Sequence, residues 1–444
     1  MGRLLATNFL ILIQALAFAP DDDTQDRFNR PPPLTIGKHV DYIAWYNEFG
    51  LRGRDPTKNA FPHYYKIYPL EENTAHVESM IDGVSRCQSG PWEAFEVPEM
   101  KAYTDRNREF VESFRAGTKC TYYWKFHTSL SESLMESLNP ITGSCRDISR
   151  ILITEGWRRG PDQKDRLLGN WRDIFRCAGH LQEGTLIECS TSQAIRGLAY
   201  RQILSTLQMQ IFTELDAADL ESAMRRHDNA APSIRKAMIA EWAIVLDQMQ
   251  RSIAEGKFDE MFIPPERIME LTTTILNEMV KNLDDDYAST VSTIDGPLSL
   301  EKLQKLRKLE PTDRNVKQHM VFSVLCPAII RAYELSIRSL ANRRGTLLVL
   351  VIHDFKARKK RWPASMDELT ENDLKELRID PFSEKDFRYK LTDRGFVLYS
   401  IAADTNDNNG RHDPKWGEGP DGGDYVFWPV QDAPKPTSQP INTP

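Results

Sequence analysis

From residue 41 to about residue 345, apolar side chains recur at intervals of three and four, a spacing that favours amphipathic helices over strands. Tyr200, Ile203, Leu207, Ile211 and Leu215 make one such stripe, and Met238, Trp242, Val245, Met249 and Ile253 a second. Ile268, Leu271, Ile275 and Met279 make a third. Pro232-Ser233 and Gly256 bracket the second stripe, and Pro264-Pro265 opens the third, as helix start and stop signals should. Strand-like alternation is scarce here. The expectation is an all-α domain over residues 41–325.

Within that domain, residues 144–207 read as helical hairpins. A helix over Cys145 to Trp157 turns at Gly160-Pro161-Asp162 into a helix over Gln163 to His180. Glu183-Gly184 breaks it, and a third helix starts near Thr185. The rhythm resembles one unit of a tetratricopeptide-like solenoid, without a repeat of fixed period.

Hydrophobic residues make up 40% of the chain and charged residues 27%, which excludes a polytopic membrane protein and a wholly disordered chain. A formal net charge of −7 argues against a nucleic-acid partner, whose binder would carry a basic surplus.

The first residues read as a targeting segment. Met1-Gly2-Arg3 is a short basic start, and Leu4 to Ala19 is apolar apart from Thr7, Asn8 and Gln14. That run is shorter than the roughly 20 residues of a comfortable membrane span and fits a secretory signal, with Ala15-Leu16-Ala17 as the better cleavage site. Residues 1–19 are therefore expected to be a signal peptide or a short anchor, residues 20–40 a linker with Pro31-Pro32-Pro33, and residues 431–444 a loose tail. The expected location is the periplasm, the cell envelope or the extracellular space. Membrane contact would come only through an uncleaved leader, and the expected partners are other envelope or secreted proteins.

Export changes the reading of the six cysteines, Cys87, Cys120, Cys145, Cys177, Cys189 and Cys326. None forms a C-x-x-C pair, so they are expected to supply one or two bridges between helices plus buried thiols.

Catalytic signatures are few. His-Glu-x-x-His, Gly-x-Ser-x-Gly, the phosphate-binding glycine loop and the dinucleotide fingerprint do not occur. Arg225-Arg226-His227-Asp228 has acid–base chemistry, but also reads as a helix C-terminus where positive side chains favour the dipole. Tyr122, Tyr123, Trp124 and Phe126, with Trp157 and Trp171, read as core; exposed on a concave face, they would instead mark a binding groove.

The C-terminal quarter carries the most specific pattern. A long helix runs from about Pro327 into Phe355, apolar all round over Leu347 to Ile352, and ends in Lys356, Arg358, Lys359, Lys360 and Arg361. Trp362-Pro363-Ala364-Ser365 follows, with Ser365 placed to cap a short helix and Glu368 at the capping-box position. Then come Asp380-Pro381-Phe382, two β-rich runs joined by Thr392-Asp393-Arg394-Gly395, a polar loop, and a third short strand, Tyr425-Val426-Phe427-Trp428.

In that order these motifs, over residues 330–430, resemble the globular head of type II secretion major pseudopilins. The whole chain also resembles a group of uncharacterised exported proteins of planctomycete-type bacteria. The resemblance implies a helix packed on a small antiparallel sheet, with Ca2+ held in the loop before the last strand. The chain departs from pseudopilins in lacking the prepilin peptidase site and the long polymerising N-terminal helix, so pilus assembly is not implied.

The loop has calcium chemistry of its own. Residues 404–424 hold Asp404, Asp407, Asp413, Glu418, Asp421 and Asp424 against Arg411 and Lys415, with amide oxygens from Asn406, Asn408 and Asn409. Calcium takes six to eight oxygen ligands in flexible geometry. The EF-hand pattern fails, because Asn409 stands where its glycine should be and the closing glutamate is missing. Asp404 and Asp424 are the first candidate ligands and Asp407 and Asn409 the second. The fold class expected is α+β, a large all-α domain followed by a pseudopilin-like head over residues 326–430. The function expected is a non-enzymatic structural or protein-interaction role outside the cytoplasm; the alternative is an exported enzyme with a site in the helical domain.

Overall fold

The computed structural model describes residues 35–36, 39–68, 87, 89–127, 141–228, 234–254, 322–369 and 374–431. The expected leader, most of the linker, the third apolar stripe and nearly all of the tail lie outside the described residues. The architecture is α+β: a helical layer, one long helix, and a small antiparallel sheet.

The helical layer opens with a short ribbon, β1 (Thr35–Ile36) and β2 (His39–Val40), then α1 (Tyr42–Leu51) and α2 (Phe61–Tyr65). It continues through α3 (Pro98–Arg106), α4 (Arg108–Thr118), α5 (Ile141–Trp157), α6 (Gln163–Leu181) and α7 (Leu186–Gln208). α8 (Ala217–His227) and α9 (Arg235–Ala254) complete it. The hairpins predicted over residues 144–207 are present, and α5, α6 and α7 pack on one another. α7 starts at a reciprocal capping box: Thr185 Oγ1 accepts from the Glu188 N–H at 3.4 Å, and Glu188 Oε2 accepts from the Thr185 N–H at 2.7 Å.

The stripe expected from Tyr200 to Leu215 is cut short. α7 ends at Gln208, Gln210 has φ +58°, and Leu215 is 74% exposed within a new 3-10 turn, Glu214–Asp216, capped by Thr213. A non-glycine residue in the left-handed region ends the helical path, and the apolar spacing gives no sign of it.

α10 (Phe322–Lys359) has 38 residues and is about 57 Å long at 1.5 Å per residue. It packs on α7 and α8 on one side and on the sheet on the other. Leu347 to Ile352 are all buried because they lie between these two layers. Adjacent arginines reach different layers, since successive helical residues lie about 100° apart around the axis. Arg343 donates to the Asp228 carbonyl in the helical layer at 3.2 Å, and Arg344 donates to the Ile379 carbonyl of the head at 2.8 Å. The domain boundary expected at residues 325/326 thus falls inside a helix that both parts share, and one apolar core runs through both. Gln208 also exchanges two hydrogen bonds with the Val430 backbone, at 3.1 and 2.7 Å.

The head follows the predicted order. Ser365 caps a 3-10 turn over Met366–Glu368 by accepting from the Asp367 N–H at 3.3 Å. Glu368 does not close a capping box; it pairs with Arg361 at 2.7 Å. After α11 (Leu374–Leu377), β3 (Ile379–Asp380) pairs with β4 (Lys385–Asp386). β5 (Arg388–Thr392), β6 (Gly395–Ser400) and β7 (Tyr425–Trp428) form the antiparallel sheet β5-β6-β7. Asp380 is buried and ties the end of β6, accepting from Ser400 Oγ at 2.9 Å and from the Ile401 N–H at 3.2 Å. Burial pushes its carboxyl up to about 6. The loop that carries the candidate ligands starts from this fixed point.

Candidate functional site

The loop of residues 401–424 leaves β6, folds over the sheet edge and returns as β7. Asp404 and Asp424 meet across it. Asn408 joins them, its Nδ2 donating to Asp404 Oδ2 at 3.2 Å and its N–H to Asp424 Oδ1 at 3.2 Å. Asp424 Oδ2 also accepts from the Gly410 N–H at 2.6 Å, and Asp404 Oδ2 from the Gly423 N–H at 3.0 Å. The backbone closes tightly around Asp404. Gly422 has φ +65°, and a Cβ there would lie 2.2 Å from Asp404 Oδ2, so only glycine fits without rearrangement.

Asp407 and Asn409 turn the other way. Asp407 accepts from Arg388 Nε of β5 and from Tyr399 Oη of β6, both at 3.0 Å. Asn409 Oδ1 accepts from Lys390 Nζ of β5 at 3.2 Å. Of the four predicted ligands, Asp404 and Asp424 are therefore brought together, while Asp407 and Asn409 are engaged by cations of the sheet. Asp413 caps its own turn through the N–H groups of Lys415 and Gly417, each at 2.9 Å. Glu418 pairs with Arg331 and Arg338 of α10 and docks the loop on the long helix.

The electrostatics of the loop are unbalanced at Asp424, which is 0% exposed. Burial raises its carboxyl above the usual range, and the negative charges of Asp407 and Asp404 raise it further. Asp407 is held low by its hydrogen bonds from Asn409 and Tyr399 and by Arg388, despite some burial. Hard oxygen donors around uncompensated charge suit Ca2+ rather than a soft metal. The fit is partial, because among the described residues no three carboxylate, histidine or cysteine side chains converge on one point. Asp404, Asp424 and loop carbonyls are the donors that remain.

The Arg225-His227-Asp228 cluster is split at the end of α8. Arg225 pairs with Glu221 one turn back at 2.8 Å. Asp228 turns inward as the C-cap residue and meets Arg196 at 3.0 Å, Arg343 at 3.5 Å and the Tyr200 hydroxyl. His227 is half-buried on the wall of a cavity of about 410 Å³. Its imidazole is held below the usual range by burial and then by Arg176, Arg172 and Arg226. His180 lies on the same wall with both ring nitrogens engaged, by Tyr64 Oη at 2.9 Å and the Cys120 carbonyl at 3.1 Å. Burial lowers its pKa to about 4.

A larger open groove of about 770 Å³ separates α3 and α4 from α5 and α6. Its charges answer one another: Arg115 and Arg172 both reach Asp173, Arg158 reaches Glu155, and Arg108 reaches Asp105.

Tyr122, Tyr123, Trp124, Trp157 and Trp171 are buried core residues, and of these Tyr122 also lines the cavity of about 410 Å³; Phe126 is exposed. The described cysteines, Cys87, Cys120, Cys145, Cys177 and Cys189, are all thiols. The expected bridges between helices are therefore not formed among them. Sequence reasoning missed a buried acidic pair at the start of α7. Glu188 accepts from Tyr123 Oη, and Glu241 of α9 accepts from the Leu186 N–H at 3.2 Å. Glu188 signals itself only as a capping-box residue, and nothing in the local sequence signals Glu241.

Among the described residues, no helix is long and apolar enough to cross a membrane. Comparison with known proteins finds no matching family model, no matching curated protein and no matching solved structure.

Proposed function

We propose that this protein is exported and serves a structural or protein-interaction role in the envelope or outside the cell, with Ca2+ stabilising the loop of its pseudopilin-like head. The observation that carries the reading is Asp424, fully buried beside Asp404 and raised by the charges of Asp404 and Asp407. A divalent cation accepted by Asp404, Asp424 and loop carbonyls would relieve that repulsion and hold the loop against α10 through Glu418.

The role assigned is non-enzymatic because most of the residues suited to acid–base work are already committed, which leaves His227 without a carboxylate partner to work with among the described residues. Asp228 is locked between two arginines, Arg225 is paired with Glu221, and His180 has both nitrogens bonded. The enzyme alternative has less behind it for that reason.

The test is thermal melting of the purified full chain with added Ca2+ and with EGTA, alongside elemental analysis and fractionation of the producing cells. The expected result is bound calcium, a lower midpoint in EGTA, and recovery from the envelope or the medium. An unchanged midpoint with no bound metal sinks the calcium reading, and recovery from the cytoplasm sinks the exported role.

A further inference from the structure

The cavity of about 410 Å³ lies where the end of α4, the last turns of α6, the middle of α7 and the C-terminus of α8 meet. Lys119, Arg176, Arg196 and His227 line it, against Glu183 and Asp228. Both acids are already neutralised by arginine or lysine partners. Glu183 is held by Arg54 at 3.0 Å and by Lys236 at 2.7 Å, and Asp228 is shared by Arg196 and Arg343. Lys119, Arg176 and His227 pair with no acidic side chain among the described residues. The cavity therefore faces solvent with uncompensated positive charge, unlike the self-paired groove beside it.

A second observation points the same way. Tyr122 lines the cavity, is 5% exposed, and its hydroxyl is shut off from solvent without a hydrogen-bond partner. Arg54 Nη1 is likewise buried without an acceptor, and its guanidinium lies 4.8 Å from the Tyr122 ring centre. Buried donors are normally satisfied, so these two leave unused hydrogen-bonding capacity next to the cationic cavity. Arg176 also depresses the imidazoles of both His180 and His227, which places its charge against this wall. The volume exceeds what an inorganic anion fills and falls within the range of small-molecule pockets. Phe175 and Tyr122 supply ring surface beside the cations.

We propose that this cavity binds a small organic phosphate monoester, with Lys119, Arg176 and His227 receiving the phosphate and Tyr122 and Phe175 flanking the organic part. A dianion matches three separate donors better than a carboxylate, whose two oxygens one guanidinium satisfies. The site is independent of the calcium loop.

Calorimetric titration of the full chain with phenyl phosphate, benzoate and benzyl alcohol tests the proposal. Phenyl phosphate should bind, benzoate more weakly, and benzyl alcohol not at all. Arg176→Gln and Lys119→Gln, both at exposed positions, should each weaken phenyl phosphate about tenfold, equivalent to ~1.4 kcal/mol, without moving the thermal midpoint. Absence of binding at millimolar phenyl phosphate overturns the proposal, as does affinity unchanged in both charge variants, which would place the anion elsewhere on the surface. Benzoate binding as tightly as phenyl phosphate overturns the choice of a phosphate.

Discussion

Arg196 and Asp228 form an ion pair at 3.0 Å, with 1% and 0% of their side chains exposed. The pair joins the middle of α7 to the end of α8, and Arg343 of α10 completes it from the other side at 3.5 Å. Tyr200 donates its hydroxyl to the same carboxylate, and Ser192 accepts from Arg196 Nη1 at 3.0 Å. One carboxylate thus fixes three helices, including the long helix that carries the head.

Replacing that carboxylate should be costly. Asp228→Asn keeps the shape but leaves two buried guanidiniums without their counter-charge, a change of the kind that costs about 3–5 kcal/mol. Urea denaturation should show the midpoint falling with an unchanged slope. A loss under about 1 kcal/mol would mean that water reaches the pair in solution.

Glu241 gives a pH-dependent expectation. Burial pushes its carboxyl up to about 7 from an ordinary 4.5, and the negative Glu188 adds to the rise, while the Leu186 N–H opposes it. The ionisable groups around it include Glu188 of α7, Tyr46 of α1, whose phenol burial and then both glutamates push up, and Tyr123, which bonds Glu188. Because the folded pKa is above the unfolded one, the folded chain holds a proton that the unfolded chain has released. Stability is therefore lost as pH rises from about 4.5 to about 7. Glu241→Gln keeps the acceptor for Leu186 and removes the titration. It should stabilise the protein by roughly 3 kcal/mol at pH 8 and by almost nothing at pH 4. Thermal midpoints of both forms across that range check it, and a gain that does not vary with pH would refute it.

The closing of the loop on Asp404 predicts a steric effect. Gly422→Ala would put a methyl 2.2 Å from Asp404 Oδ2 at a left-handed φ. The substitution should destabilise the protein by about 1–3 kcal/mol and blunt any response of the midpoint to EGTA. Differential scanning calorimetry with and without Ca2+ reads both effects.

Sequence legibility follows how far apart the interacting residues lie. The helices are readable because the three-four spacing is local, and the β5–β6 hairpin because Thr392-Asp393-Arg394-Gly395 marks its turn. Asp404 and Asp424 were found as a pair through the motif order. Asp407 and Asn409 were not separable from them, because what claims them, Arg388 and Lys390, depends on which face of β5 points to the loop. The Glu188–Glu241 pair and the locking of Asp228 are invisible for the same reason, since each needs the packing of helices distant in the chain.

The cysteines give a redox expectation. Cys145 and Cys177 are both buried, and burial, with Cys177 adding to it, pushes the Cys145 thiol well up. Cys189 is pushed up to about 12 by burial. Thiols with so little thiolate react slowly even in an oxidising compartment. Alkylation followed by peptide mass spectrometry should label half-exposed Cys120 first, and Cys145, Cys177 and Cys189 only in denaturant. A Cys145–Cys177 disulfide recovered from freshly purified protein would overturn this.

The last expectation concerns the junction of helix and sheet. Gly345 sits in α10 where the ring of Phe427 on β7 presses against its backbone, and a Cβ there would lie 2.7 Å from three ring carbons. Alanine would gain about 1 kcal/mol of helix propensity. Against that, the ring is pinned by Phe387 at 5.6 Å and by Trp416 at 6.1 Å, so it has little room to retreat. Overpacking of a fixed core costs about 1–3 kcal/mol, which exceeds the propensity gain. Gly345→Ala should therefore destabilise the protein, and Gly345→Ala with Phe427→Leu should recover part of the loss by clearing the ring. Chemical denaturation of the two variants and of Phe427→Leu alone measures the coupling, and additive losses would show that the contact is loose in solution.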